Sequence, residues 1–203
     1  MLTLLLAPAV AAGITLEGTW RVHMAVATRA KVPVVGDAYT VTESVVQLDV
    51  REDGTARWTV CDARIDDSGS AVRTVLPPAF VAALPDREAT VAWEDGRLVI
   101  DPGVERLGLR EGGAVFDADG DGRPGLTVQV DAPLLGEGEV WMVQRGHVVL
   151  EALNVGQDRI TGRVRVYALE QRVLGAEPRV LGYAPRIVPL DRGSAFVMVR
   201  GGC

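Results

Sequence analysis

The chain is nearly without lysine and histidine. Lys31 is the single lysine among 21 basic residues, and there are two histidines. Acidic residues number 27, so the formal net charge is −6. Contact with a phosphate backbone needs a continuous basic stripe, which this composition does not supply, so we do not expect nucleic acid as a partner. Internal runs of about 18 apolar residues are also missing, and no transmembrane span is predicted.

Recognisable catalytic motifs are missing as well. The chain has no G-x-S-x-G, no H-E-x-x-H and no phosphate loop of the G-x-x-x-x-G-K type. A lone histidine in a strand, such as His23, or after a turn, such as His147, is usually a surface or packed residue. We therefore expect a protein that is not an enzyme. A carboxylate-based hydrolase stays as an alternative, because paired carboxylates that meet only in the folded chain could lie among the acidic residues.

The length and the first residues suggest one exported domain. A chain of 203 residues suffices for one domain with a substantial core. Its start, MLTLLLAPAVAAG, is apolar and ends in the small residues Ala11 and Ala12, as a secretory signal does, although the usual positive charge is absent. We predict a signal peptide at 1–12 and a single β domain at 13–203. A buried first segment is the alternative.

Most of the chain alternates apolar and polar residues with a period of two, which is typical of β-strands. The first such run places large apolar residues at alternate positions, between neighbours that are smaller or more polar: Trp20, Val22, Met24 and Val26. Further runs of this kind are separated by turns rich in glycine, proline or an Asp-Gly pair. The predicted strands and hairpins include residues 40–65, 87–100, 126–130, 139–145, 147–153, 159–169 and 194–199.

Only residues 76–85, LPPAFVAALP, look helical, since prolines can open a helix and Pro85 would end it. Residues 101–125 form the longest irregular stretch. Eight to ten short strands with one short helix predict an all-β fold, an antiparallel β-barrel, with a β-sandwich as the alternative. For a barrel we expect an apolar ligand pocket lined by Trp20, Trp58, Val91 and Trp93.

An aspartate-rich stretch, FDADGDGRPGLTV at 116–128, is the strongest candidate for a site. Asp117, Asp119 and Asp121 stand at alternate positions, and Gly122 follows them. Calcium takes six to eight oxygen ligands, and a D-x-D-x-D-G run brings alternate carboxylates together around such an ion. We predict a structural Ca²⁺ held by the three aspartates and the carbonyl of Arg123. The alternative is an Asp/Gly-rich turn that binds nothing.

This stretch resembles the calcium loops of EF-hand and dockerin-like modules over about nine residues. It departs from them at the twelfth position, where Val128 replaces the bidentate glutamate of the EF-hand. Remaining ligands would have to be water or another segment, with Glu111 or the turn around Arg145 and Gly146 as candidates. We therefore expect weak binding, with a dissociation constant of about 10⁻⁴ to 10⁻³ M.

The two cysteines, Cys61 and Cys203, would close a loop over most of the chain if they form a disulfide, which an exported protein permits. A free thiol at Cys61 is the alternative. Gly18, Thr19 and Trp20 resemble the G-x-W that opens the first strand of lipocalins.

In that family the tryptophan packs on an arginine of the last strand, a role that Arg200 could take, and a disulfide joins a mid-barrel strand to the tail. The resemblance implies a calycin-like barrel. The family's T-D-Y motif and its long helix are missing.

Together these features predict a secreted, periplasmic or cell-envelope protein that binds a small apolar ligand. A calcium-stabilised interaction domain whose partner is another cell-envelope protein is the main alternative. The two differ in their interiors, because a ligand carrier needs an apolar cavity whereas an interaction domain has a filled core and an exposed apolar patch.

Overall fold

A computed structural model of the chain describes residues 14–32, 36–183 and 185–203. The predicted signal peptide lies outside these residues and stays a prediction. The described elements are β1 (Gly18–Val32), β2 (Gly36–Val50), β3 (Thr55–Asp66), β4 (Arg73–Val75), α1 (Pro78–Ala82), β5 (Arg87–Glu94), β6 (Arg97–Asp101), β7 (Val104–Leu107), β8 (Leu126–Ala132), β9 (Gly136–Val155), β10 (Arg159–Glu177), a 3₁₀ turn (Arg179–Gly182) and β11 (Ile187–Arg200). Neither helical segment is long enough to cross a membrane.

All eleven strands belong to one sheet, and every pairing between them is antiparallel. The predicted all-β antiparallel class is confirmed. Eight strands pair in the order β10, β11, β1, β2, β3, β5, β6 and β9, and β9 pairs again with β10. We call this set the ring. Such a ring is compatible with a barrel and with a sandwich whose long strands pass from one sheet to the other.

The predicted first hairpin is present, because β2 and β3 pair from Val41 opposite Asp66 to Val50 opposite Ala56. Gly54 in its turn has φ +78°, a left-handed conformation that glycine adopts without steric cost. The second predicted hairpin turns at Asp95 and Gly96, which have φ +48° and +78°. Asp-Gly pairs therefore marked both turns correctly.

Two parts of the chain are more regular than the sequence suggested. Residues 139–145 and 147–153 were expected as separate strands, but they form the single strand β9, which extends over 20 residues. The stretch 101–125 contains β7, which pairs with β9 from Val104 opposite His147 to Leu107 opposite Gln144. Pairing to a long neighbour organises residues whose own pattern is too short to indicate a strand.

One half of the ring's interior is filled by large side chains, and we call it the packed half. Trp20, Trp58, Leu48 and Leu150 are fully buried there. The complete buried cluster is Trp20, Val22, Val46, Leu48, Val50, Ala56, Trp58, Ala89, Val91, Leu98, Ile100, Leu150, Ala152, Ile160, Val164, Phe196 and Met198. These residues face inward because successive strand side chains point to opposite faces, and the predicted alternation in β1 is confirmed.

An arginine covers the outer end of the packed half. Trp20 on β1 lies opposite Arg200 on β11, and the Arg200 guanidinium stands 3.9 Å from the centroid of the indole ring. The same guanidinium donates to the carbonyl of Glu17 at 2.6 Å and to that of Thr15, while Trp20 Nε1 donates to the carbonyl of Leu16 at 2.7 Å. The stacking and the hydrogen bonds hold residues 15–17 across this end.

A disulfide joins Cys61 to Cys203 across β1 and β2, with 6.4 Å between the two Cα atoms. The β2–β3 register shifts between Val45 and Val46, so Cys61 has no residue directly opposite it. A bulge of this kind re-aims a side chain, and here the thiol reaches the C-terminal tail. The disulfide pairing predicted from the sequence is present.

Candidate functional site

The second half of the ring's interior contains a cavity of about 510 Å³. We call this region the open half. Its volume lies within the roughly 300–1,000 Å³ that small-molecule sites occupy. Inward-facing residues of β1, β2, β8, β9 and β10 form its walls, together with residues near the 3₁₀ turn. The inward faces of the strands thus enclose one filled region and one hollow region.

Small and aliphatic side chains leave this space unfilled. The lining residues are Val26, Thr28, Ala30, Val32, Ala38, Thr40, Thr42, Ile65, Ser70, Val72, Thr74, Leu76, Arg87, Glu105, Val128, Val130, Ala132, Leu135, Val140, Met142, Gln144, Gly146, Val148, Val166, Ala168, Leu169, Gln171, Val173, Val180, Leu181, Tyr183, Pro185 and Ile187. The hydroxyls of Thr28 and Thr40 satisfy each other at 2.9 Å, so that part of the wall presents mainly methyl groups. The cavity surface is suited to an apolar ligand.

One ion pair lies in the cavity wall next to the packed half. Arg87 and Glu105 approach to 3.1 Å, and their side chains are 12% and 20% exposed. The Arg87 guanidinium also lies 5.5 Å from the ring centroid of Trp58, which is fully buried. Burial lowers the pKa of Arg87, and the carboxylates of Glu105 and Asp101 oppose that shift only in part. The two carboxylates therefore compensate only part of the free energy that the guanidinium loses when it is removed from water.

The four residues predicted to line a ligand pocket do not line this cavity. Trp20, Trp58 and Val91 belong to the packed half, and Trp93 is 42% exposed near the end of β5. Large aromatic side chains fill an interior instead of enclosing space, which is the physical reason for the difference. Trp20, Trp58 and Val91 do lie together, but as part of the hydrophobic core.

Arg87 and Glu105 were not identified from the sequence. Arg87 precedes Ala89 and Val91 by two and four positions, so the alternation already placed a charged residue on the inward face of β5. Its even spacing from Ala89 and Val91 could therefore have identified Arg87 as an inward-facing residue. Glu105 gave none, because it lies in the stretch that looked irregular, and its position opposite Gly146 depends on the β7–β9 pairing.

The three aspartates do converge in the loop between β7 and β8. Asp117, Asp119 and Asp121 each offer a carboxylate oxygen within 4.8 Å of the others. In the described residues this group has no fourth acidic member, so Glu111 does not join it. The other suggested ligand segment is engaged elsewhere, since Arg145 approaches Glu170 at 3.8 Å and Gly146 lines the cavity.

Backbone amides already hold these carboxylates. Asp117 accepts from the amides of Gly120 and Gly122 at 2.8 and 2.9 Å, and Asp121 accepts from that of Arg123 at 2.7 Å. Such bonds are also found in turns that bind no metal, so they leave the alternative of an empty turn open.

Asp119 differs from its two neighbours. Its Oδ2 accepts from the amide of Thr127 at 2.8 Å, but its Oδ1 is buried without a hydrogen-bond partner among the described residues. Burial raises the pKa of Asp119, and the charges of Asp121 and Asp117 add to the increase. A cation in the loop would relieve both effects.

Arg123 anchors the loop through its side chain. Its guanidinium donates to Glu177 at 2.7 Å and lies 4.6 Å from the ring centroid of Trp141. The role of its carbonyl as a calcium ligand stays a prediction. The side-chain contacts fix the loop against β9 and β10.

A separate polar pair lies on the opposite face of β9 from the cavity. His147 Nε2 and Asp101 Oδ1 are 2.9 Å apart, and the imidazole centroid is 5.6 Å from the ring of Tyr167. Gly146 and Val148 line the cavity, so alternation directs His147 outward. The pair is partly exposed and separate from the aspartate loop.

The fold and the cavity define an all-β protein whose strand ring encloses one packed and one hollow region. Comparisons with protein-family models, with curated proteins and with solved structures each found no match. The resemblances to EF-hand and dockerin-like loops and to lipocalins therefore stay predictions drawn from short motifs.

Proposed function

We propose that this protein is an exported carrier that binds a small apolar molecule in the open half of its ring, and that it acts by binding instead of catalysis. The observation that carries the proposal is the cavity of about 510 Å³ with its predominantly aliphatic and small lining. Apolar enclosure of this size provides binding energy through removal of ligand surface from water, at about 25 cal/mol per Å². The disulfide supports export, since such bonds persist in oxidising compartments.

Titration with N-phenyl-1-naphthylamine, an uncharged dye that fluoresces in apolar surroundings, tests this proposal. The wild-type protein should bind the dye with saturation. Ala168→Phe, which places an aromatic ring at the cavity wall, should weaken binding by at least about tenfold, equivalent to about 1.4 kcal/mol. Ala195→Phe is the matched control, because Ala195 is exposed on β11. Equal loss in both variants, or no saturable binding by the wild type, would contradict the proposal.

We also propose that the aspartate loop binds calcium as a structural ion. The buried, unpartnered Oδ1 of Asp119 supports this, together with the clustering of three carboxylates within 4.8 Å. Calcium would offset the mutual repulsion of the carboxylates and fix the connection between β7 and β8. Its role would be to order this loop.

A further inference from the structure

The two charged residues of the cavity lining, Arg87 and Glu105, form a single ion pair, and the other polar residues of the lining are uncharged. Arg87 and Glu105 meet at 3.1 Å, beside the fully buried Trp58. Gln144 lies on the same lining, and Gly146 stands opposite Glu105 in the β7–β9 register. A ligand in the cavity would thus meet mainly aliphatic and small side chains along its length and one charged pair at the boundary with the packed half.

Hydrogen-bonding capacity at this boundary is only partly used. Arg87 Nε is buried and has no acceptor among the described residues, and Trp58 Nε1 beside it also lacks one. Each buried donor without a partner costs about 1–3 kcal/mol. Glu105 contributes a carboxylate, which accepts hydrogen bonds. Arg87 and Glu105 both line the cavity, so the guanidinium offers donors to a ligand acceptor and the carboxylate offers an acceptor to a ligand donor.

The charges at the boundary do not favour an ion. Arg87 carries one positive charge, while Glu105 contacts it directly and Asp101 also acts on it. An anionic head group would meet a guanidinium that is already paired with Glu105 and would be repelled by that carboxylate. A cationic head group would compete with Arg87 for the same carboxylate. Burying an ion without a free counter-charge is strongly unfavourable.

We propose that the open half selects an uncharged amphiphile, with an aliphatic chain along the walls and a carboxamide or hydroxyl head group between Arg87 and Glu105. A primary amide matches both partners, because its carbonyl accepts from the guanidinium and its amino group donates to the carboxylate. This inference rests on the proposed carrier function and specifies its ligand class.

Displacement of bound N-phenyl-1-naphthylamine by four twelve-carbon compounds tests the inference. Dodecanamide and dodecanol should displace the dye at concentrations at least about tenfold lower than dodecanoate or dodecylammonium, because only the neutral heads avoid burying an unpaired charge. Dodecanoate displacing the dye as well as dodecanamide would overturn the inference.

Two variants of the ion pair provide the controls. Arg87→Met/Glu105→Met removes both charges, a change that buried ion pairs often tolerate. Relative to the variant's own dye affinity, it should lose the preference for dodecanamide over a twelve-carbon hydrocarbon without a head group. Glu105→Gln leaves Arg87 without its direct counter-charge and should improve displacement by dodecanoate about tenfold relative to the wild type.

The outcomes separate the two proposals. No improvement in displacement by dodecanoate in Glu105→Gln, together with an unchanged preference for dodecanamide in Arg87→Met/Glu105→Met, would overturn the head-group inference while the carrier function stands. Failure of the wild type to bind the dye, or equal binding by Ala168→Phe, would remove the carrier function itself.

Discussion

The packed half and the open half of the ring are built largely from the same strands, yet one is filled and the other is hollow. Strand β1 contributes Trp20 and Val22 to the first and Thr28 and Ala30 to the second. Strand β10 likewise contributes Val164 to the packed half and Ala168, with other residues, to the cavity. The same strands, with the same alternation of inward and outward side chains, therefore form both regions.

The difference between the halves lies in side-chain volume and not in polarity alone. Inward positions of the packed half hold tryptophan, leucine and isoleucine, which reach one another across the ring. Inward positions of the open half hold many alanines, threonines and valines, which are too short to meet. Protein interiors pack closely wherever side chains can meet, so a run of small inward residues leaves space. The packed half supplies stability, and the open half supplies room.

The largest expected effect comes from matched leucine truncations in the two halves. Leu150→Ala removes a fully buried side chain from the packed half and should lower the free energy of unfolding by about 3–5 kcal/mol. Leu169→Ala removes the same atoms from the cavity wall, where the side chain is only partly buried, and should cost about 1 kcal/mol. Urea denaturation of both variants measures the difference, and equal costs would contradict the division.

Loss of the disulfide should weaken the fold without altering the cavity. Cys61→Ser/Cys203→Ser frees a crosslink that spans 142 residues and should reduce the unfolding free energy by about 2–4 kcal/mol. Cys203 lies near Gln47, beside the packed half, so dye affinity should stay within about twofold of the wild type. Thermal unfolding and dye titration of the same sample provide both readings. A large loss of dye affinity would show that the halves are coupled.

The extent to which the sequence predicted this architecture differs between the two halves. Alternation around Trp20 identified inward faces correctly, and the Asp-Gly pairs located two hairpin turns. An apolar pocket was predicted, but the residues that line the cavity were not, because whether inward side chains meet depends on the diameter of the ring and on which strands lie opposite one another. Glu105 illustrates this, since only the pairing of β7 with β9 brings it to Arg87.

The aspartate loop, unlike the cavity, was predicted from local spacing. Its spacing alone predicted that Asp117, Asp119 and Asp121 would converge, because alternate residues of a tight turn are neighbours without any help from distant strands. The unpartnered oxygen of Asp119 was not predictable, since it depends on burial by the surrounding chain. Local geometry is thus available from sequence, whereas solvation is not.

Calcium, bound in the loop outside the ring, should change stability less than Leu150→Ala or loss of the disulfide does. At a dissociation constant of about 1 mM, calcium at about 10 mM would stabilise the fold by about 1.4 kcal/mol and raise the melting temperature by a few degrees. Asp119→Ala should abolish this rise, whereas Asp131→Ala, an exposed carboxylate on β8, should keep it. Scanning calorimetry with calcium and with chelator measures the shift. An unchanged wild-type midpoint would refute the calcium proposal.

The central claim is that the open half holds the ligand, and intermolecular nuclear Overhauser effects test it most directly. With methyl-labelled protein and bound dodecanamide, contacts should be observed from the alkyl chain to Val130, Val148 and Val166, which line the cavity. Methyl groups of the packed half, such as those of Val22 and Val46, should give none. Contacts confined to exposed side chains, or none from the cavity valines while the ligand is bound, would contradict the account.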